Sequence, residues 1–317
     1  MKKKLNILST VDLSMVREDL IKLKKKSNFI YTNGSLEKIK KIINIADIYI
    51  SSAKIKIDKE FLKNAKNLKF IFSPSTGTDH IDLNELKKRK IKCFHIAKER
   101  KLLNSFTATS ELVFALILML NRSLIINHQQ IINNSWTRDK FPGIQLFNKT
   151  LGIIGLGRLG KITSKIGQGF GMKVIGYDTN KKIRLNNVKN VGLSFLLKNS
   201  DIVSIHIHLT EKTTNFLNKK KLVLMKKNST LINTSRGKII NEKDLLFFLK
   251  ARKNFKVGLD VIDGEWLDKN KLKKHALINY SKKNNNLIIL PHIGGSTIES
   301  IYGARLRIVK KILYKLN

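Results

Sequence analysis

The sequence predicts an α/β protein built on parallel sheets, in two successive series of strands and helices. Three observations carry this. Short apolar runs alternate with helix-periodic stretches along nearly all of the 317 residues. The alternation starts afresh at Leu151. A glycine-rich turn then joins a strand to a helix inside the second series. The chain is long enough to bury a large core in one or two domains.

The first series reads as strands at 5–9, 29–31, 48–51, 68–72 and 91–96, each rich in Ile, Leu or Phe. Helical stretches at 36–45 and 58–64 separate them. Residues 105–134 carry apolar side chains at helical spacing with no proline or glycine, which predicts one or two long helices joining the two series. The second series reads as strand 151–154, helix 159–170 and strand 173–177, then strands at 202–205, 230–233, 256–259 and 287–290. No internal repeat has a fixed period.

Composition narrows the function classes. A hydrophobic fraction of 42% excludes general disorder. Cys93 is the only cysteine, which excludes an intrachain disulfide and a four-cysteine zinc site and fits a reducing, cytoplasmic setting. The longest apolar run, 112–120, is about half of the roughly 18 residues a membrane span needs and reads as a buried helix. The start, Met1-Lys2-Lys3-Lys4 before Leu5-Asn6-Ile7-Leu8, resembles a signal peptide. Asp12 interrupts it and no small-residue cleavage site follows, so a first strand is expected instead.

Charge is the unusual property: 62 basic against 23 acidic residues, a formal +39. The lysines are scattered through every segment, as at 24–26, 87–90, 219–221 and 282–283, rather than gathered on one motif. No specific nucleic-acid partner is therefore expected, while an anionic substrate and cofactor are favoured electrostatically.

The sharpest local signal is Gly155-Leu156-Gly157-Arg158-Leu159-Gly160. It follows an apolar strand, opens a helix, and is followed by a strand ending at Asp178, which together are the context of a dinucleotide site. Gly155 permits the tight turn, Gly157 close approach of a pyrophosphate, and Gly160 close helix–strand packing. Asp178, 23 positions after Gly155, suits a ribose-binding carboxylate that would repel a 2′-phosphate. NAD is thus expected over NADP, although Lys181 and Lys182 stand nearby.

Two further residues point to chemistry. Arg236, on a Ser-Arg-Gly turn after an apolar strand, can hold a carboxylate bidentately and polarise a neighbouring ketone. His292 follows a strand and precedes Gly294 and Gly295, where substrate or cofactor can come close, and imidazole suits proton transfer near neutral pH. The other six histidines read as surface or satisfied core residues. No ligand cluster suggests a metal.

The segments 151–161, Asn233-Thr234-Ser235-Arg236-Gly237, Gly258-Leu259-Asp260-Val261 and Pro291-His292-Ile293-Gly294-Gly295-Ser296-Thr297 stand in an order that resembles the D-isomer-specific 2-hydroxyacid dehydrogenases. Phosphoglycerate, glycerate, hydroxypyruvate and D-lactate dehydrogenases belong to that group. The resemblance spans nearly the whole chain and implies two Rossmann-like or flavodoxin-like lobes. A cofactor lobe, 102–290, would be inserted into a substrate lobe made of 1–101 and 291–317, with the active site in the cleft.

The resemblance also implies roles. Glu265 would be the carboxylate that orients His292 and favours its protonated form. Asp260 would hold the nicotinamide amide, Thr210 and Thr234 would line the cofactor with Gly294 and Gly295, and Ser75, Thr76 and Gly77 would offer backbone N–H groups to the substrate carboxylate. The expected activity is hydride transfer between NAD(H) and C2 of a small D-2-hydroxy or 2-keto acid, phosphoglycerate-like acids included, by a homodimer. The chain departs from the family at Trp266 and His208, where proline is common. Glu265 stands where formate dehydrogenases of the superfamily carry glutamine, which argues against that reaction. With Asn317 about 25 residues after His292, no regulatory domain is expected. A cofactor-sensing regulatory protein on the same fold is the alternative.

Overall fold

The computed structural model describes residues 4–266 and 269–316. It divides the chain into Met1–Phe106 with Thr297–Asn317, and Thr107–Ser296. The second junction lies six residues beyond the expected 290/291, so His292 and its glycines belong to the inserted unit. The cause is bonding rather than sequence position. The amides of Ile293 and Gly294 are held by the Asp260 carboxylate, and the Gly294 carbonyl by Thr109.

The first unit contains a five-stranded parallel sheet. Its strands are β1 (Asn6–Ser9), β2 (Asn28–Tyr31), β3 (Ile48–Ile50), β4 (Phe70–Ser73) and β5 (Lys92–His95), in the order β2-β1-β3-β4-β5. Successive side chains point to opposite faces. Ile7, Ile48, Ile50 and Phe72 accordingly enter one core with Ala304, Ile308, Val309 and Ile312 of the helix Ile298–Leu316. Leu8, Tyr49 and Ile71 enter the other, with Ile39 and Phe61. A parallel sheet covered on both faces explains the near-continuous apolar strands.

The inserted unit contains seven parallel strands: β6 (Thr150–Ile154), β7 (Lys173–Tyr177), β8 (Val188–Asn190), β9 (Ile202–Ile205), β10 (Thr230–Asn233), β11 (Lys256–Leu259) and β12 (Leu287–Ile289). Their order is β12-β11-β10-β9-β6-β7-β8. The strand order reverses between β6 and β9, where open α/β sheets form a ligand crevice at the carboxyl ends. The expected 105–134 helical region is two helices, Ala108–Asn121 and Leu124–Ile132, broken where Ser123 takes a left-handed φ of 51°. By length and composition Arg100–Asn121 is apolar enough to cross a membrane. Val113, Phe114, Leu116, Ile117 and Leu120 are nonetheless buried in a core shared with β6 and β10.

Candidate active site

β6 is buried almost throughout and delivers the chain to Gly155 at a φ of 97°. A Cβ there would lie 2.6 Å from the His206 carbonyl oxygen, so the turn sits tightly against the end of β9. At Gly160 a Cβ would lie 2.0 Å from the Gly155 oxygen, which is why the helix Arg158–Gly169 can pack directly on the turn. Gly157, the helix N-cap, faces open space. An exposed helix start after such a turn favours an anion.

Asp178 follows β7. Its Oδ2 accepts the Leu156 N–H and its Oδ1 the Asn180 N–H, both at 2.8 Å. A carboxylate has about four acceptor sites, so acceptor capacity remains for ribose hydroxyls. Beside it opens a cavity of about 310 Å³ lined by Asp178, Lys181, Arg184, Asn190, Val191 and Gly192. Thr234 Oγ1 is buried with no hydrogen-bond partner. The open helix start, the anchored Asp178 and the orphaned hydroxyl fit a dinucleotide.

The three catalytic candidates arise from neighbouring strands. Register aligns Asn233 of β10 with Leu259 of β11, and Leu259 with Ile289 of β12. The loops carrying Arg236, Glu265 and His292 therefore leave the sheet side by side, roughly 5 Å apart at their roots. Asn233 shapes the first loop: its side chain donates to the Arg236 carbonyl and accepts from the Ser235 N–H. Arg236 itself donates to the Ser235 carbonyl at 2.8 Å. At Gly237 a Cβ would fall 2.1 Å from the Ile262 carbonyl carbon, so this loop is packed on the backbone leading to Glu265.

His292 Nδ1 and Glu265 Oε1 are 2.6 Å apart. A carboxylate only accepts, so the proton of this bond lies on Nδ1 and Nε2 is left as the reactive atom. Glu265 Oε2 is buried without a partner. Trp266 stacks on the imidazole, with ring centroids 5.6 Å apart at 26°. The His292 backbone has a φ of 58°, a left-handed conformation unusual outside glycine.

The Asp260 carboxylate holds the strained turn: its two oxygens accept the Ile293 and Gly294 N–H groups, each at 2.7 Å, while its carbonyl accepts the His292 N–H. Burial raises the Asp260 pKa against the opposing pull of those amides. Anchoring this turn is a role that sequence reading missed. Thr210, expected to line the cofactor, spends its side chain on a capping box with Thr213. Ser75, Thr76 and Gly77 lie in the first unit, in the loop after β4, with Ser75 N–H donating to Ser73 Oγ. Burial pushes the Cys93 thiol up to about 11, which disfavours its thiolate. Among the described residues no group of acidic, histidine or cysteine side chains could hold a metal.

Two family models match the chain. Residues 7–101 match the catalytic domain of the D-isomer specific 2-hydroxyacid dehydrogenases, and residues 114–294 match their NAD binding domain. A glyoxylate reductase from Thermococcus litoralis is 33% identical over 88% of this chain and 82% of its own length. A hydroxypyruvate reductase from Thermotoga maritima is 31% identical over 93% and 94%. Among solved structures, a D-lactate dehydrogenase from Aquifex aeolicus, complexed with NAD and lactic acid, superposes with a TM-score of 0.85 at 28% identity. That match covers 97% of this chain and 94% of the other. The chain belongs to the D-isomer specific 2-hydroxyacid dehydrogenases, a family of NAD-dependent oxidoreductases.

Proposed function

We propose that this enzyme reduces a small 2-keto acid of the glyoxylate and hydroxypyruvate class to the D-2-hydroxy acid, with Arg236, Glu265 and His292 as its catalytic residues. The observation that carries the reading is the His292–Glu265 couple at 2.6 Å on a turn anchored by Asp260. NAD, when bound, supplies or accepts the hydride exchanged with C2. His292 Nε2 gives a proton to the ketone oxygen in reduction and takes it from the hydroxyl in oxidation. Glu265 fixes the ring and stabilises its charged form, and Arg236 binds the carboxylate. Gly155, Gly157, Arg158, Leu159 and Gly160 receive the pyrophosphate, and Asp178 the ribose. Thr234, Gly294 and Gly295 line the nicotinamide end, beside the turn that Asp260 anchors.

The substrate class follows the names of the relatives, which favour the enzymatic reading and lend none to the cofactor-sensing alternative. We further propose a homodimer in the cytoplasm. The helix Leu124–Ile132 buries no residue and leaves Leu124, Ile125, Ile131 and Ile132 exposed, which suits a second copy. The single cysteine suits a reducing compartment.

The substrate is tested by reducing glyoxylate, pyruvate, hydroxypyruvate and 3-phosphohydroxypyruvate with NADH and resolving the chiral products. Highest kcat/KM on the small unphosphorylated acids, with D-glycerate from hydroxypyruvate, is expected. L-Glycerate, or turnover of the phosphorylated acid alone, would reject the proposal.

A further inference from the structure

A second carboxylate–imidazole pair lies behind the loop that carries Glu265. Glu242, the first residue of the helix Glu242–Ala251, accepts the Asp263 N–H on Oε1 at 2.7 Å. Its Oε2 is 3.2 Å from His275 Nε2, which is also 3.1 Å from the Asp263 carbonyl oxygen. Both neighbours of Nε2 are acceptors, so Nε2 carries the proton and is shared between them. The side chains are 20% and 12% exposed, well shielded from water. Burial pushes the Glu242 carboxyl up, opposed by the Asp263 amide and by His275. The Asp263 residue is thus gripped at its N–H and its C=O.

Asp263 stands two positions before Glu265, with Gly264 between at a φ of 76°. Glu265 bonds His292, and Trp266 stacks on the same imidazole. One short turn therefore supplies both restraints on His292, in the ring plane and on the ring face. Glycine at 264 gives that turn no stiffness of its own, and a couple at 2.6 Å tolerates a displacement of only about 0.5 Å. On its outer face the turn has a long contact, Lys238 to Asp263 at 3.8 Å, between half-exposed groups.

We propose that Glu242 and His275 are positioning residues for the reaction: by gripping Asp263 they set the placement of Glu265 and Trp266, and through them the aim of His292. The proposal rests on the reading of His292 and Glu265 as the acid–base couple. Neither residue touches substrate or cofactor in this assignment, so their removal acts on kcat rather than on binding.

The test uses the full-length enzyme with Trp136→Phe, which leaves Trp266 as its single tryptophan. Its emission lifetime reports the stack on His292 without cofactor or turnover, with His292→Ala as the reference for a lost stack. Glu242→Ala should lower kcat at least tenfold and leave the keto-acid KM and the NADH Kd within twofold. It should also move the Trp266 lifetime toward the His292→Ala value. Glu242→Gln, which keeps an acceptor for the Asp263 N–H, should restore most of both. If Glu242→Ala keeps the wild-type lifetime and kcat, or Glu242→Gln rescues neither, the proposal is wrong. Should His292→Ala stay active, the acid–base reading fails, while the lifetime still decides whether Glu242 positions the turn.

Discussion

His292 pays for its position with a left-handed backbone that costs a non-glycine residue on the order of 1 kcal/mol or more. The Asp260 carboxylate offsets this with two short bonds to the next two amides. His206, at the end of β9, shows the opposite use of an imidazole. Partly buried and bonded to Ser204 at 2.9 Å, it has its pKa pushed by burial from 6.5 down to about 4. Its neutral form belongs to the fold, whereas the unfolded chain takes up the proton from about pH 6.5. The stability it contributes is therefore full above pH 6.5 and lost as pH falls toward 4, on the order of 3 kcal/mol at the lower end. Denaturant unfolding at several pH values should show that decline flattened in His206→Gln. An unchanged slope would reject this assignment.

Loops between adjacent strands form the next scale. Arg236, Glu265 and His292 are separated by up to 56 positions in sequence, and their loops leave the sheet side by side because β10, β11 and β12 lie in register. Gly237 joins two of those loops by backbone contact, so a methyl group must push them apart. Gly237→Ala is expected to lower kcat by at least tenfold and to cost about 2 kcal/mol in thermal unfolding. Wild-type kcat in this variant would show that the contact does not set the site.

The legibility of these elements follows the same physics. β7, β9, β10 and β11 were readable to the residue, as apolar runs bounded by turn residues. The strand β8 was not, since Val188-Lys189-Asn190 is a short, polar strand at the sheet edge and carries no apolar pattern. The glycine turn and the places of Arg236 and His292 just after strand ends were legible because each has telling neighbours. The Asp260 anchor and the Glu242–His275 grip were not. Each joins residues 12 to 34 positions apart through side-chain to backbone bonds that leave no periodic mark.

At the scale of the molecule, the +39 charge and the exposed apolar side chains of Leu124–Ile132 pull in different directions. Like charge disfavours self-association at low ionic strength, and the apolar face favours it once salt screens the repulsion. Sedimentation equilibrium should find a dimer at about 0.15 M salt. Ile132→Lys, at a residue 65% exposed, should shift it toward monomer. A wild-type monomer at micromolar concentration would exclude the dimer.

In the proposed reaction His292, oriented by Glu265, exchanges the proton with the keto-acid oxygen. NADH oxidation followed at 340 nm with hydroxypyruvate, for the wild type and His292→Gln, tests it most directly. Turnover by the wild type is expected, with a kcat lower by about 10²-fold or more in the variant and NADH affinity retained. Equal rates in the two proteins would contradict it.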